Sequence, residues 1–261
     1  MSGQTESTNL NPGPPQEKPL SYFQRAANYI FRLRLQEIMS RLGMLQIYAR
    51  LLKLKVPPKL YTGEYFLSSH GCEGSREFRQ SRGARLSHRL SVVLAQIKNI
   101  DGNAFLDLGC GRGEILFQLE NRASRVIGID YSTSAVEICQ GITKRAQIIE
   151  ADIVKFLPEF ESDPFDGVLM IDLVEHLFDW QLEIVFKHVA RLLKPGGYLY
   201  IDTPLIPYRP YSSMHVNIKG NPKQYLNFLP GFEIEDIVLV DPLGSNHLIT
   251  LRKSKSKELM A

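Results

Sequence analysis

Hydrophobic positions divide the chain into stretches of different period. Residues 1–19 hold Pro12, Pro14, Pro15 and Pro19 among polar side chains, with Met1 and Leu10 as their large apolar residues. So little apolar surface cannot offset the entropy of ordering, and the stretch reads as a disordered tail. From Ser21 to Lys55 the residues Phe23, Ala27, Ile30, Phe31, Leu35, Ile38, Leu42, Leu45, Ala49 and Leu52 recur at steps of three and four. That is the period of an amphipathic helix, which Pro57 and Pro58 close. After a polar, Gly-containing connector, Ser75 to Asn99 again has helical spacing. Beyond Asn103, short β-branched runs (AFLDL, RVIGID, AQIIEAD, FDGVLMID, GYLYID) alternate with amphipathic stretches at Gly113–Arg122, Ser132–Thr143 and Glu175–Leu193. Such alternation predicts a parallel sheet with helices on both faces. Phe232–Val240 and His247–Lys253, joined by a short Asp-Pro-Leu-Gly turn, predict an antiparallel edge hairpin. The chain thus divides into a tail (1–19), a basic helical arm with connector (20–74), one α/β domain (75–253) and a second tail (254–261).

Charge refines the picture only locally. The 31 Lys and Arg against 28 Asp and Glu leave +3 over 261 residues, too balanced for the whole surface to bind polyanions. Residues 20–60 alone carry eight basic residues and one acid, a net +7. The arm therefore has two readings: a helix packed on the core or on a second copy in a homodimer, with a solvated basic face, or attachment to an anionic membrane surface or an acidic partner. Cys72, Cys110 and Cys139 form no CxxC pair and have no histidine at ligand spacing, so neither a metal nor a disulfide framework is expected. No apolar run reaches the roughly 18–20 residues that cross a bilayer, and the start is polar. A cytoplasmic protein is the expectation.

The most informative stretch runs Phe105-Leu106-Asp107-Leu108-Gly109-Cys110-Gly111-Arg112-Gly113-Glu114, a strand, a Gly-rich turn and a helix start. In open parallel sheets the ligand crevice lies at the C-terminal ends of the strands, and a helix start beyond a Gly turn offers free N–H groups, so a nucleotide-like ligand is expected there. A dinucleotide fingerprint beginning at Gly109 would need glycine at 114, where Glu114 stands, and the Gly-Lys-Ser/Thr of a P-loop is absent. Asp107 beside the turn would repel a pyrophosphate but suits a cationic or zwitterionic ligand. The next strand ends in Asp130, a carboxylate able to accept both hydroxyls of a ribose. Cys110, between two glycines, reads as a small packing residue rather than a nucleophile.

LDLGCGRGE, VIGIDYS, the acid of Glu150-Ala151-Asp152, FDGVLMIDLVEHL and LLKPGGYLYIDTP resemble, in order, the motifs of the class I S-adenosylmethionine-dependent methyltransferases over residues 100–252. The resemblance implies a Rossmann-like α/β fold with a seven-stranded, mostly parallel sheet and an antiparallel C-terminal strand, here with an N-terminal helical extension. It also implies S-adenosylmethionine as cofactor. Gly109, Gly111 and Gly113 would lie against its methionine and ribose, Asp107 would orient its amino end, and Asp130, with Tyr131 beside it, would hold the ribose hydroxyls. Asp152 would accept from the adenine amino group, with the Ile153 N–H nearby.

Methyl transfer is an in-line displacement, so the protein mainly aligns an acceptor and takes up its proton. After FDGVLMID stands Asp172-Leu173-Val174-Glu175-His176, where nucleobase amino-methylating relatives would show N/D-P-P-Y/F, and the Pro-Cys of cytosine-C5 enzymes is also missing. A small-molecule acceptor, methylated at O or N, is therefore expected rather than a nucleic acid. The resemblance is closest to the small-molecule and quinone or lipid-intermediate branch. A membrane-borne acceptor and a non-catalytic cofactor-binding scaffold are the alternatives. His176 is read as general base or structural residue. Tyr208, Tyr211 and His215, on the long Pro-stiffened loop from Thr203 to Val216, are the expected substrate contacts, with His215 also a candidate catalytic group. Leu60–Phe66 and His70 would form a lid in which Tyr65 and Phe66 cover cofactor or substrate.

Overall fold

A computed structural model describes residues 44–68, 74–206, 214–241 and 245–255. Two short helices open the described chain, α1 (Leu45–Leu52) and α2 (Gly63–Leu67), followed by α3 (Ser75–Ser81) and α4 (His88–Gln96). Then come β1 (Ala104–Leu108), α5 (Glu114–Leu119), β2 (Arg125–Asp130), α6 (Thr133–Ile142), β3 (Gln147–Glu150), α7 (Ile153–Phe156) and β4 (Phe165–Ile171). The chain ends with α8 (Asp179–Leu192), β5 (Leu193–Pro204), β6 (Phe232–Leu239) and β7 (Asn246–Lys253).

The strands form one sheet in the order β3-β2-β1-β4-β5-β7-β6. β1 to β5 pair in parallel, whereas β7 runs antiparallel between β5 and β6. The expected hairpin is thus at the edge, with β6 outermost. Central β1 is buried along all five residues, which is why AFLDL reads as a continuous apolar run interrupted by one acid. Successive residues of a strand point to opposite faces. Leu106, Met170 and Ile201 accordingly pack with Leu182, Val185, Phe186 and Val189 of α8, while Phe105, Leu169 and Tyr200 pack with Leu90 and Val93 of α4 and Leu116 and Leu119 of α5. A third cluster joins Leu45, Ala49, Leu54, Val56, Tyr61 and Phe66 of the N-terminal arm to Ala135, Phe178 and Val216.

Two expected helices are corrected. Ser75–Asn99 breaks into α3 and α4, because Arg82 and Gly83 take φ of +50° and +86° and Ser87 Oγ then accepts from Leu90 N to start a new helix. The stretch from Glu175 does not begin α8: Asp172 turns the chain at φ +50°, Val174–His176 form a 3₁₀ turn, and the α-helix starts only at Asp179. In the arm the described helix is Leu45–Leu52, ended by Lys53 in the left-handed region before Pro57 is reached. The expected helix from Ser21 to Gly43, residues 1–19, His70, Tyr208 and Tyr211 lie outside the described residues. No described helix is long and apolar enough to cross a membrane.

Candidate functional site

The ends of β1, β2 and β4 open into a cavity of about 660 Å³, a size suited to small ligands. One side is the glycine turn. Gly109, Gly111 and Gly113 have φ of +72°, +52° and +81°. Gly113 is additionally fixed by space, since a Cβ there would stand 2.2 Å from Cys139 Sγ. Gly109 N and Cys110 N donate to Ile129 O at 2.8 and 3.1 Å, which sews the turn to the end of β2. Gly111 N donates to Asp130 Oδ2 at 3.0 Å and Ser132 N to Asp130 Oδ1 at 2.9 Å, so the Asp130 carboxylate is anchored beside the turn with lone pairs left over. Burial raises its pKa against the lowering effect of these N–H donors. Asp107 is buried with Oδ1 unpartnered among the described residues, and burial, then the charge of Asp130, hold its carboxyl well above the ordinary range. Cys110 is buried against Cys139, and that contact and burial push its thiol up, as expected of a packing residue.

Tyr131, Asp152 and Ile153 continue the wall. Asp152 Oδ1 accepts from Val154 N at 3.1 Å, capping α7, while Oδ2 meets Lys55 Nζ at 3.1 Å. Lys55, Val56, Tyr61, Tyr65 and Phe66 close the cavity from the arm, so the expected lid residues Tyr65 and Phe66 do reach it. Side chains of the α/β domain grip this strap by its backbone: Ser132 Oγ donates to Tyr61 O at 2.7 Å, Arg112 Nη1 to Phe66 O at 3.0 Å and Trp180 Nε1 to Leu54 O at 3.0 Å.

Opposite the turn stand His176 and His215, their rings 4.9 Å apart and edge to face. His176 Nδ1 lies 2.9 Å from Met214 O; a carbonyl only accepts, so Nδ1 carries the proton and Nε2 the lone pair. Burial, then the neighbouring His215, lower the His176 pKa to about 4, which keeps the ring neutral at neutral pH. Burial lowers His215 as well. The Glu175 carbonyl takes Val216 N and Asn217 N at 2.7 and 3.1 Å, and this brings His215 over the 3₁₀ turn. The ligand atoms of Glu175, His176 and His215 lie within 4.8 Å of one another, a grouping that could hold a metal ion where the sequence suggested none.

Sequence reasoning missed the support behind Asp172. Arg89 grips Asp172 with both Nη atoms, one of them at 2.9 Å from Oδ1, and also pairs with Asp202, while Asn246 Nδ2 donates to Asp172 Oδ1 at 3.1 Å. The signal was present as lone charges inside apolar runs, Arg89 in HRLSVVL and Asp202 in YLYIDTP. Glu114, whose presence argued against a dinucleotide site, is held by the buried Arg112 through two bonds of 2.9 Å.

Residues 106–201, from β1 into β5, match the family model described as a methyltransferase domain. The chain is 28% identical over 148 residues to the ubiquinone biosynthesis O-methyltransferase of Alkalilimnicola ehrlichii, covering 56% of this chain and 53% of that protein. It thus spans about half the length of the curated relatives it matches. Among solved structures, magnesium protoporphyrin IX methyltransferase from Synechocystis with bound SAH aligns at TM-score 0.53 and 18% identity over 76% of this chain and all of that one. The N-methyltransferase NodS from Bradyrhizobium japonicum aligns at 0.51 and 18% over 69% and 99%. These structural likenesses establish the fold. The family match over residues 106–201, with the ordered motifs, supports a class I S-adenosylmethionine-dependent methyltransferase domain within this chain.

Proposed function

We propose that the protein transfers a methyl group from S-adenosylmethionine to a hydroxyl oxygen of a small-molecule acceptor. The observation that carries this reading is the pair of buried carboxylates, Asp107 and Asp130, at a left-handed glycine turn, facing a neutral histidine pair across one cavity. The residues fit the cofactor. Asp107 offers a buried oxygen without a partner, which a ligand's ammonium group would satisfy. Asp130, already anchored by two N–H donors, would take the ribose hydroxyls, and Asp152 with the Ile153 N–H the adenine edge. Bound there, S-adenosylmethionine supplies an electrophilic sulfonium methyl.

The chain's own part is alignment and proton uptake. His176 Nε2, bearing the lone pair, would accept the acceptor's proton, while the Met214 carbonyl holds the ring in that tautomer. The ubiquinone-pathway relatives favour oxygen over nitrogen as the methylated atom. Calorimetry of the full chain with S-adenosylmethionine and S-adenosylhomocysteine tests the cofactor site, and an acceptor screen with labelled methyl donor tests the reaction. Absence of binding at millimolar cofactor would end the proposal. The Glu175, His176 and His215 grouping favours one second reading, in which a divalent cation held there polarises the acceptor in place of a histidine base. Chelation followed by metal add-back separates the two.

A further inference from the structure

Helix α1 is amphipathic in an unusual sense. Its buried residues are Leu45 and Ala49, with Leu52 half-buried. Its polar residues also turn toward the domain: Gln46 Nε2 donates to Val216 O at 3.1 Å and Gln46 Oε1 accepts from Asp179 N at 2.9 Å, Arg50 pairs with Glu183, and Lys53 Nζ lies 4.9 Å from the Trp180 ring centroid. Arg50 and Lys53 nevertheless stay exposed to solvent, and beside them stand Met44, Ile47, Tyr48 and Leu51, the last three lying three, four and seven residues beyond Met44 on one face, with Ile47 62% and Leu51 72% exposed. A monomeric soluble surface scatters such residues singly, and a contiguous stripe marks an interaction face.

We infer that this outward face of α1 rests on an anionic bilayer surface, at the side of the molecule where the arm closes the cavity. Charge selects the occupant. Residues 20–60 carry +7, more than the +3 of the whole chain, so the rest of the molecule is net negative. An anionic surface would attract the arm and repel the body, which orients the molecule with α1 inward. A second copy docked about a two-fold axis would instead set one basic arm against another, a repulsive arrangement. Apolar side chains backed by Lys and Arg are the composition that interfacial helices use. Continuity with the cavity gives the docking a consequence, because the chain leaving α1 runs into Lys55, Val56 and Tyr61, which line that cavity.

The inference goes beyond the proposed reaction, since attachment needs neither methyl donor nor acceptor and its failure leaves methyl transfer untouched. The full chain should co-sediment with phosphatidylcholine vesicles containing phosphatidylglycerol, weakly with phosphatidylcholine alone, and less as salt rises. Replacing both Ile47→Glu and Leu51→Glu should weaken binding by roughly tenfold or more. The milder pair Ile47→Ser and Leu51→Ser should act in the same direction, each variant keeping the wild-type melting temperature because the replaced side chains are exposed. Absence of vesicle binding by the wild type, or unchanged binding by both folded variants, overturns the inference. A wild-type dimer by sedimentation velocity that becomes monomeric in the variants, without vesicle binding, also overturns it and assigns the face to a second copy.

Discussion

Asp107 shows how one side chain couples binding to stability. A carboxyl held above its ordinary range binds its proton more tightly in the folded chain than in the unfolded one, so it costs stability as pH rises above the unfolded carboxylate range. Asp107→Asn keeps the shape and removes the buried charge. The variant should melt higher at pH 8, by about 1–3 kcal/mol of stability, and should bind S-adenosylhomocysteine at least roughly tenfold more weakly, because a charged partner for the ligand's ammonium is gone. Calorimetry and thermal melts on the same samples read both; weaker melting with intact affinity would remove Asp107 from the cofactor site. His176 has the opposite sign. Its pKa is about 4 in the fold against 6.5 ordinarily, so the unfolded chain holds the proton more tightly. Stability is fully present above about 6.5 and is lost as pH falls toward 4, by roughly 3 kcal/mol. His176→Gln should flatten that slope and lower kcat about a hundredfold. A variant with undiminished turnover would leave His176 a structural role only.

At the scale of elements, the glycine turn and the helix starts carry the geometry. Gly113→Ala must place a Cβ at φ +81° and 2.2 Å from Cys139 Sγ, a backbone strain and an overpacking together. It should cost about 3 kcal/mol. Gly141→Ala in α6 meets nothing within 4 Å, and should add about 0.5–1 kcal/mol by limiting the unfolded chain. Chemical denaturation of the two variants measures both; if they shift alike, steric fit at Gly113 is not the determinant. The same elements show what could be read in advance. β1 to β5 were legible because strands buried on both faces read as bare apolar runs, and Asp107, Gly109, Gly111, Gly113 and Asp130 because turn chemistry and strand-end acids are local. The break at Arg82-Gly83 was not, since apolar spacing continues across it and the need for a glycine there comes from Ile142 in α6, whose Cδ1 would stand 2.8 Å from a Cβ at position 83. Nor was the 3₁₀ turn at Val174–His176, which depends on Asp172 being held at φ +50° by Arg89, a residue 83 positions away. Long-range ion pairs leave only a lone charge in an apolar run as their trace.

For the whole molecule, the arm and the α/β domain share one cavity, so ligand binding should tighten both. The strap from Leu54 to Phe66 lines that cavity yet is held to the domain through its own backbone carbonyls, by Ser132, Arg112 and Trp180. A ligand beneath it adds contacts to an element with modest support of its own, whereas outermost β6 has five of its eight residues exposed and lies away from the glycine turn. S-adenosylhomocysteine at a hundred times its Kd should stabilise the fold by about 2.7 kcal/mol. Below that global shift, hydrogen exchange should slow most in the amides of Gly63–Phe66 and the turn at Gly109–Gly113, and little in β6. Trp180, the single tryptophan, donates to Leu54 O and sits under Lys53, so its emission should titrate with the same midpoint as the calorimetric signal. Uniform slowing across β6 and the strap would mean that the arm is an ordinary part of the core, while protection confined to the turn would mean that Tyr61, Tyr65 and Phe66 do not close on the cofactor.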